Sequence, residues 1–281
     1  MGKFPEGTKF STDIWRGQSS KGGETVTISI GSGDYSLDSE TYFPPELSEV
    51  ITKDKYLKAL AIIRCAEVGT YKTTGAGNAE WNVANDGAGI TYGNYQQVGK
   101  TGGLTRLIEM YVNDPQSKPE HVQAINQYKE HAKAHGKTRH YSDGVGKLME
   151  ALRAAGNQDP NMGYIQSKQV YTEQIKGKNL IPAFKRSGAK SALAFCIALH
   201  CYNQGRPNNF WSGVAETPDE AQKCIRMIQN ELAYLRRMSW WPNPATERSS
   251  NHVRWTNDYI KAAKNQNFDL TQTQRWCNAT F

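Results

Sequence analysis

The chain has 281 residues, of which 38% are hydrophobic and 22% charged, enough to bury a substantial core in one large domain or one domain with an appendage. A formal charge of +7 favours an anionic partner, but the lysines and arginines are scattered and no nucleic-acid motif accompanies them, so nucleic acid is not the expected partner. No run approaches the ~18 apolar residues of a membrane span, and five irregularly spaced cysteines without a CxxC indicate neither a disulfide framework nor a zinc site.

Residues 1–52 are rich in Gly, Ser and Thr. Thr25 to Ile30 alternates with strand period before a Gly-Ser-Gly turn, which predicts a β-like N-terminal extension or hairpin ending near Pro44-Pro45. The start, Met1-Gly2-Lys3, carries no hydrophobic signal segment, so synthesis in the cytoplasm or an export signal already removed is expected.

Helical character begins at Lys53. Tyr56, Leu60, Ile63 and Glu67 fall in line on one helix face, and Gly69 supplies the stop. Residues 71–99 hold few helix formers and many Gly, Asn and Thr, which suggests a small β-rich lobe or long loops. Helices are then expected at Leu104–Val112, Glu120–His135, Ser142–Ala155, Gly163–Lys176 and Lys190–Tyr202. Two more follow at Pro218–Met238, with Thr217 as N-cap and Pro218 at the first position, and at Asn251–Lys264. This reads as a mainly α protein, α+β in detail. Its helical body and small β-rich lobe after the first helix form two lobes with a cleft between them, so the domains are 1–52 and 53–281.

Within that plan two carboxylates stand in unlike settings. Glu67 ends an apolar helix, where desolvation and the negative end of the helix dipole both raise a carboxyl pKa, as a general acid needs. Asp86 lies in the run Asn85-Asp86-Gly87-Ala88-Gly89-Ile90-Thr91-Tyr92-Gly93, a polar turn that keeps a carboxylate ionised as a base toward water. Thr91 could hold that water. Gly87, Gly89 and Gly93 would let the backbone turn tightly and a sugar chain approach closely. Tyr92, Asn94, Tyr95 and Gln96 are the adjacent substrate-binding candidates. The plainer reading makes Glu67 a surface acid and Asp86 a turn former.

Other features compete less well. Glu80 shares the lobe of Asp86 and is the chief rival carboxylate, ahead of Glu109 and Glu173. His131, His135 and His140 could suggest a metal, but no acidic ligand completes a motif and cations surround them, so neither a metal nor a cofactor is expected. Trp211 and Trp240-Trp241-Pro242 are either sugar platforms or aromatic anchors.

The order Glu67, then Asp86-Gly87-Ala88-Gly89-Ile90-Thr91-Tyr92-Gly93, then Gly102-Gly103-Leu104-Thr105-Arg106-Leu107-Ile108, resembles glycoside hydrolase family 46, the chitosanases of the lysozyme-like superfamily. Ala189–Gly205, Leu232–Met238, Asn251–Lys264 and Phe268-Asp269-Leu270 with Arg275-Trp276 follow the family's order, so the resemblance spans 53–281. It implies a lysozyme-like fold and inverting hydrolysis of a β-1,4 bond, with Glu67 as acid, Asp86 as base and Thr91 positioning water. It also implies a helix arginine, Arg236 or Arg237 with Arg236 favoured, tuning the carboxylates at the substrate site. Two departures stand out. Gly103 occupies the place of an Asp that grips the cationic amino sugar, and Ala88 that of an arginine.

Those departures and the positive charge direct the expected substrate toward peptidoglycan, making the chain a muramidase of antibacterial type. Chitosanase is the runner-up, and a catalytically inactive wall-glycan-binding protein the third reading. The missing signal segment would then fit delivery to the periplasm or cell exterior by phage lysis or a secretion system. A cognate inhibitor or immunity protein and delivery machinery are conceivable partners.

Overall fold

The computed structural model describes residues 9–10, 30–31, 41–68, 77, 79–81, 87–136, 142–239, 241, 251–272, 275–276 and 279–280. Among them are nine α-helices, α1 to α9, and seven short strands, β1 to β7. The chain divides into two compact units, one built mainly from Lys72–Val170 and the other from Phe43–Tyr71 with Tyr171–Phe281. Of the expected N-terminal hairpin, β1 (Lys9–Phe10) and β2 (Ile30–Gly31) pair antiparallel; the remainder of residues 1–40 lies outside the described residues.

The first unit combines a three-stranded antiparallel sheet, β3 (Ala79–Trp81), β4 (Ile90–Tyr92) and β5 (Gln97–Val98), with α2 (Gly103–Val112), α3 (Pro119–Asn126), α4 (Asp143–Gln158) and α5 (Pro160–Val170). Strand alternation sends Ile90 and Tyr92 into a core shared with Leu104, Leu107, Ile108 and Leu152. Ser142 caps α4 by accepting a bond from the Val145 amide at 3.4 Å. Between α4 and α5, Asp159 collects the Tyr111 hydroxyl at 2.5 Å and the amides of Lys118 and Asn161 at 2.8 and 3.0 Å. That buried carboxylate pins the loop before α3 to the α4–α5 corner.

The helix expected over Glu120–His135 is corrected. α3 stops at Asn126 and a separate 3-10 turn covers Lys129–Lys133, because the polar run after Tyr128 supplies no apolar stripe to continue it. Gly163–Lys176 is likewise two pieces: α5 runs to Val170, and Tyr171–Lys176 is a π-helical turn closed by the Gly177 amide on the Thr172 carbonyl.

The second unit surrounds α7 (Ala192–Asn203), buried from Ala192 through Tyr202, with α1 (Lys53–Val68), α6 (Leu180–Ser187), α8 (Glu220–Leu235) and α9 (Asn251–Lys264). A short antiparallel pair, β6 (Arg275–Trp276) and β7 (Ala279–Thr280), lies near the C-terminus. α1 is buried on every side from Tyr56 to Ile63 except at Lys58, so the alignment seen in the sequence belongs to a central helix rather than to one wet and one dry face. α8 starts two residues later than expected: Asp219, not Thr217, caps it, accepting the Gln222 amide at 2.8 Å. α6 had no sequence expectation. It opens at Asn179 and ends at Gly188, both left-handed, and holds Pro182 in the first turn, where no amide is needed. No described helix is long and apolar enough to cross a membrane.

Candidate active site

Glu67 lies in the last turn of α1, in the second unit. Its side chain, and Asp86 as a whole, fall outside the described residues. What the structure does place is the frame following Asp86. Gly87 and Gly89 have φ of 76° and 81°, the left-handed region that a side chain resists. The Gly87 carbonyl accepts the Gly136 amide at 3.2 Å, and a Cβ at Gly89 would stand 2.1 Å from the Ala134 carbonyl oxygen. Gly89 therefore admits the chain's own 134–136 backbone, and the two left-handed glycines make the tight turn expected of them. At Gly93 the neighbour is again protein, the Gln166 amide.

Thr91 is the central residue of β4 and half-exposed, facing away from Ile90 and Tyr92. Its cross-strand partners are Glu80 on β3 and Val98 on β5. Glu80 is exposed, so the sheet's open face carries a hydroxyl beside a carboxylate.

The four neighbours proposed as substrate contacts do not behave alike. Tyr92 is fully buried, its hydroxyl donates to the Leu152 carbonyl at 2.7 Å, and desolvation drives its pKa far upward. It is a core residue, and its proposed contact with substrate is withdrawn. Asn94 and Tyr95 are also buried; the Asn94 amide is held by Gln166 Oε1 at 2.9 Å, while its side-chain Oδ1 has no partner among the described residues. Gln96, partly exposed and left-handed at φ 51°, forms the turn before β5. Gln166 and Gln169, one helical turn apart on α5, were missed as anchors. Gln169 Nε2 donates to the Gly103 carbonyl at 2.8 Å, as Gln166 holds Asn94.

Gly103 opens α2, and a Cβ there would meet Gln97 Oε1 at 2.6 Å. A neutral amide thus fills the space next to this position. Arg236 closes α8 and is exposed; Arg237, also exposed, donates from Nε to the Ala233 carbonyl at 3.2 Å. Glu109 is exposed on α2, and Glu173 is half-buried in the π turn. His131 packs against Gly144 and approaches Glu130 at 3.2 Å; His140 is outside the described residues, and among those described no trio of metal-ligating side chains forms.

No family profile and no curated protein matches the sequence. Solved structures do. The chitosanase of Gynuella sunshinyii, a family 46 enzyme in complex with chitotetraose, superposes with a TM-score of 0.60 at 21% identity over 82% of this chain and 98% of its own. The native chitosanase of Bacillus subtilis MY002 gives 0.57 at 17% identity over the same shares. This is the chitosanase fold. A third match, chitosanase OU01 with substrate, agrees at a TM-score of 0.58 and 17% identity, covering 80% of this chain and 92% of that one. The chitosanase fold accounts for the helical body with a small antiparallel sheet.

Proposed function

We propose that the chain is a glycoside hydrolase of a β-1,4-linked amino-sugar polymer, with Glu67 as general acid, Asp86 as general base and Thr91 orienting the attacking water. The observation that carries the reading is the chitosanase fold over 82% of the chain, with Glu67 at the end of α1 and Thr91 on the open face of β4. Chitosan is the substrate best supported, because the matched structures are chitosanases, one of them holding chitotetraose. Fold alone does not transmit function, so the residues must be tested directly.

Peptidoglycan is the second reading. It is favoured by the +7 charge, which repels a polycation at long range, and by Gly103, where the neutral Gln97 amide stands in place of a carboxylate. The deciding experiment incubates the protein with chitosan and with peptidoglycan in parallel and counts new reducing ends. Release from chitosan alone supports the first reading, and release from peptidoglycan alone selects a muramidase acting on the cell wall. An anhydro-sugar product would indicate a lytic transglycosylase. Binding without cleavage of either polymer would overturn the enzymatic reading in favour of a glycan-binding protein.

A further inference from the structure

A groove of about 350 Å³ lies along one face of α6 and is closed by the segment 208–215, wholly within the second unit. Its volume falls in the ~300–1,000 Å³ range of small-ligand sites. Lys178, Asn179, Arg186, Asn208 and Trp211 supply its functional groups, and among the described residues no carboxylate lines it. Neither Lys178 nor Arg186 has an ion-pair partner among the described residues.

The surrounding bonds turn acceptors inward and leave donors facing the groove. Tyr202 donates to Asn208 Oδ1 at 2.5 Å, so the Asn208 amide offers its NH₂. The Trp211 indole N–H is tied to the Tyr202 oxygen at 3.0 Å, so Trp211 offers carbon surface rather than its polar edge. Ala183 and Ala215 extend that carbon surface. Buried Lys223 reaches the wall from behind, donating to the carbonyls of Ser187 at 3.0 Å and Ala215 at 3.3 Å, both of them groove residues. Ser187 directs its hydroxyl to the Phe184 carbonyl.

A site made of two unpaired cations, an amide donor and an aromatic floor complements a ligand rich in acceptors, negatively charged and bearing a C–H face. From this chemistry we infer that the groove is a binding site for a carboxylate-bearing glycan, one pyranose lying on Trp211 with its carboxylate between Arg186 and Lys178. A cationic glucosamine polymer is the wrong complement for it.

Oligogalacturonate is the suitable probe, being carboxylated and containing no amino sugar to cleave. Calorimetric titration compares wild type with K178Q/R186Q, whose substituted positions are both exposed. Neutral maltohexaose, which carries no amino sugar for the proposed hydrolase to hold, and inorganic phosphate serve as the other ligands. Oligogalacturonate is expected to bind wild type best, to weaken as salt rises, and to lose about fivefold or more in the double variant at unchanged melting temperature. Equal affinity of the two proteins for it, or a neutral oligomer binding as well, would overturn the inference. Phosphate binding as tightly as the oligosaccharide would also overturn it, since the sugar contact would then contribute nothing. Chitosan cleavage measured on the same two proteins reports on the proposed hydrolase separately, because neither substituted residue belongs to its catalytic set.

Discussion

Glu80 and Thr91 stand directly opposite each other across the β3–β4 pair, on the face of the sheet turned away from the core that buries Ile90 and Tyr92. Side chains so paired approach within about 5 Å at Cβ. Thr91 therefore keeps its hydroxyl in an accessible setting with an acceptor beside it, as a water-positioning group requires. Thr91→Val should lower kcat by about tenfold or more with KM little changed, and Thr91→Ser should restore most of it. Glu80→Gln should cost less than about threefold, since Glu80 stands across the strand from Thr91 and is not assigned a proton transfer. Steady-state kinetics on a soluble oligosaccharide settles both; a greater loss from Glu80→Gln than from Thr91→Val would exchange the two roles.

The turn after Asp86 is fixed by contact with the chain itself. Gly89→Ala forces a Cβ into a left-handed residue and to 2.1 Å from the Ala134 carbonyl oxygen. Left-handed strain and overpacking together should cost about 2–4 kcal/mol. Chemical denaturation measures the loss, and a change within about 0.5 kcal/mol would show that the 134–136 segment yields easily.

Lys223 is 7% exposed and makes no ion pair among the described residues, its ammonium group instead holding the carbonyls of Ser187, Val214 and Ala215. Lys223→Met preserves the stem and leaves those acceptors behind. A loss of about 2 kcal/mol is expected, because hydrogen bonds to charged groups are stronger than neutral ones. Thermal unfolding that leaves Lys223→Met as stable as wild type would contradict this role.

Glu231 is fully buried on α8, bonded through one oxygen to Arg206 Nε at 2.8 Å, with its other oxygen lacking a partner among the described residues. Burial raises its pKa above 4.5, against the pull of Arg206. A carboxyl raised in the folded state favours folding below its unfolded pKa, and that contribution is lost as pH rises through the folded value. Wild type should thus lose stability through this group as pH climbs above about 4.5, whereas Glu231→Gln should have a flatter profile there. Denaturation midpoints across that window provide the check; parallel profiles would remove Glu231 from the account.

Much of the architecture was legible because helices announce themselves through apolar spacing. The unbroken apolar run did so for α7, whereas the cap read at Thr217 lies at Asp219 and that of α4, Ser142, was taken as part of the helix. α6 escaped because Pro182 reads as a breaker unless its place in the first turn is known. The run to His135 was overextended because lysine, glutamate and alanine favour a helix locally while no tertiary face receives it beyond Asn126. At the site, the strand period of 90–92 already implied that Thr91 and Tyr92 point oppositely, and taking both as site residues set that aside. The close approach of Ala134 to Gly89 could not be read at all, since the two are distant in sequence. Gln166, Gln169 and Lys223 look like surface residues in a list of letters, and only their long-range partners make them anchors.

The most direct test of the central claim is time-resolved proton NMR of a chitosan oligosaccharide treated with wild type and with Glu67→Gln. The account predicts that wild type first releases the α-anomer at the new reducing end, the mark of inversion at a β-linkage, and that folded Glu67→Gln releases almost none. First appearance of the β-anomer, or cleavage by Glu67→Gln at the wild-type rate, would contradict it.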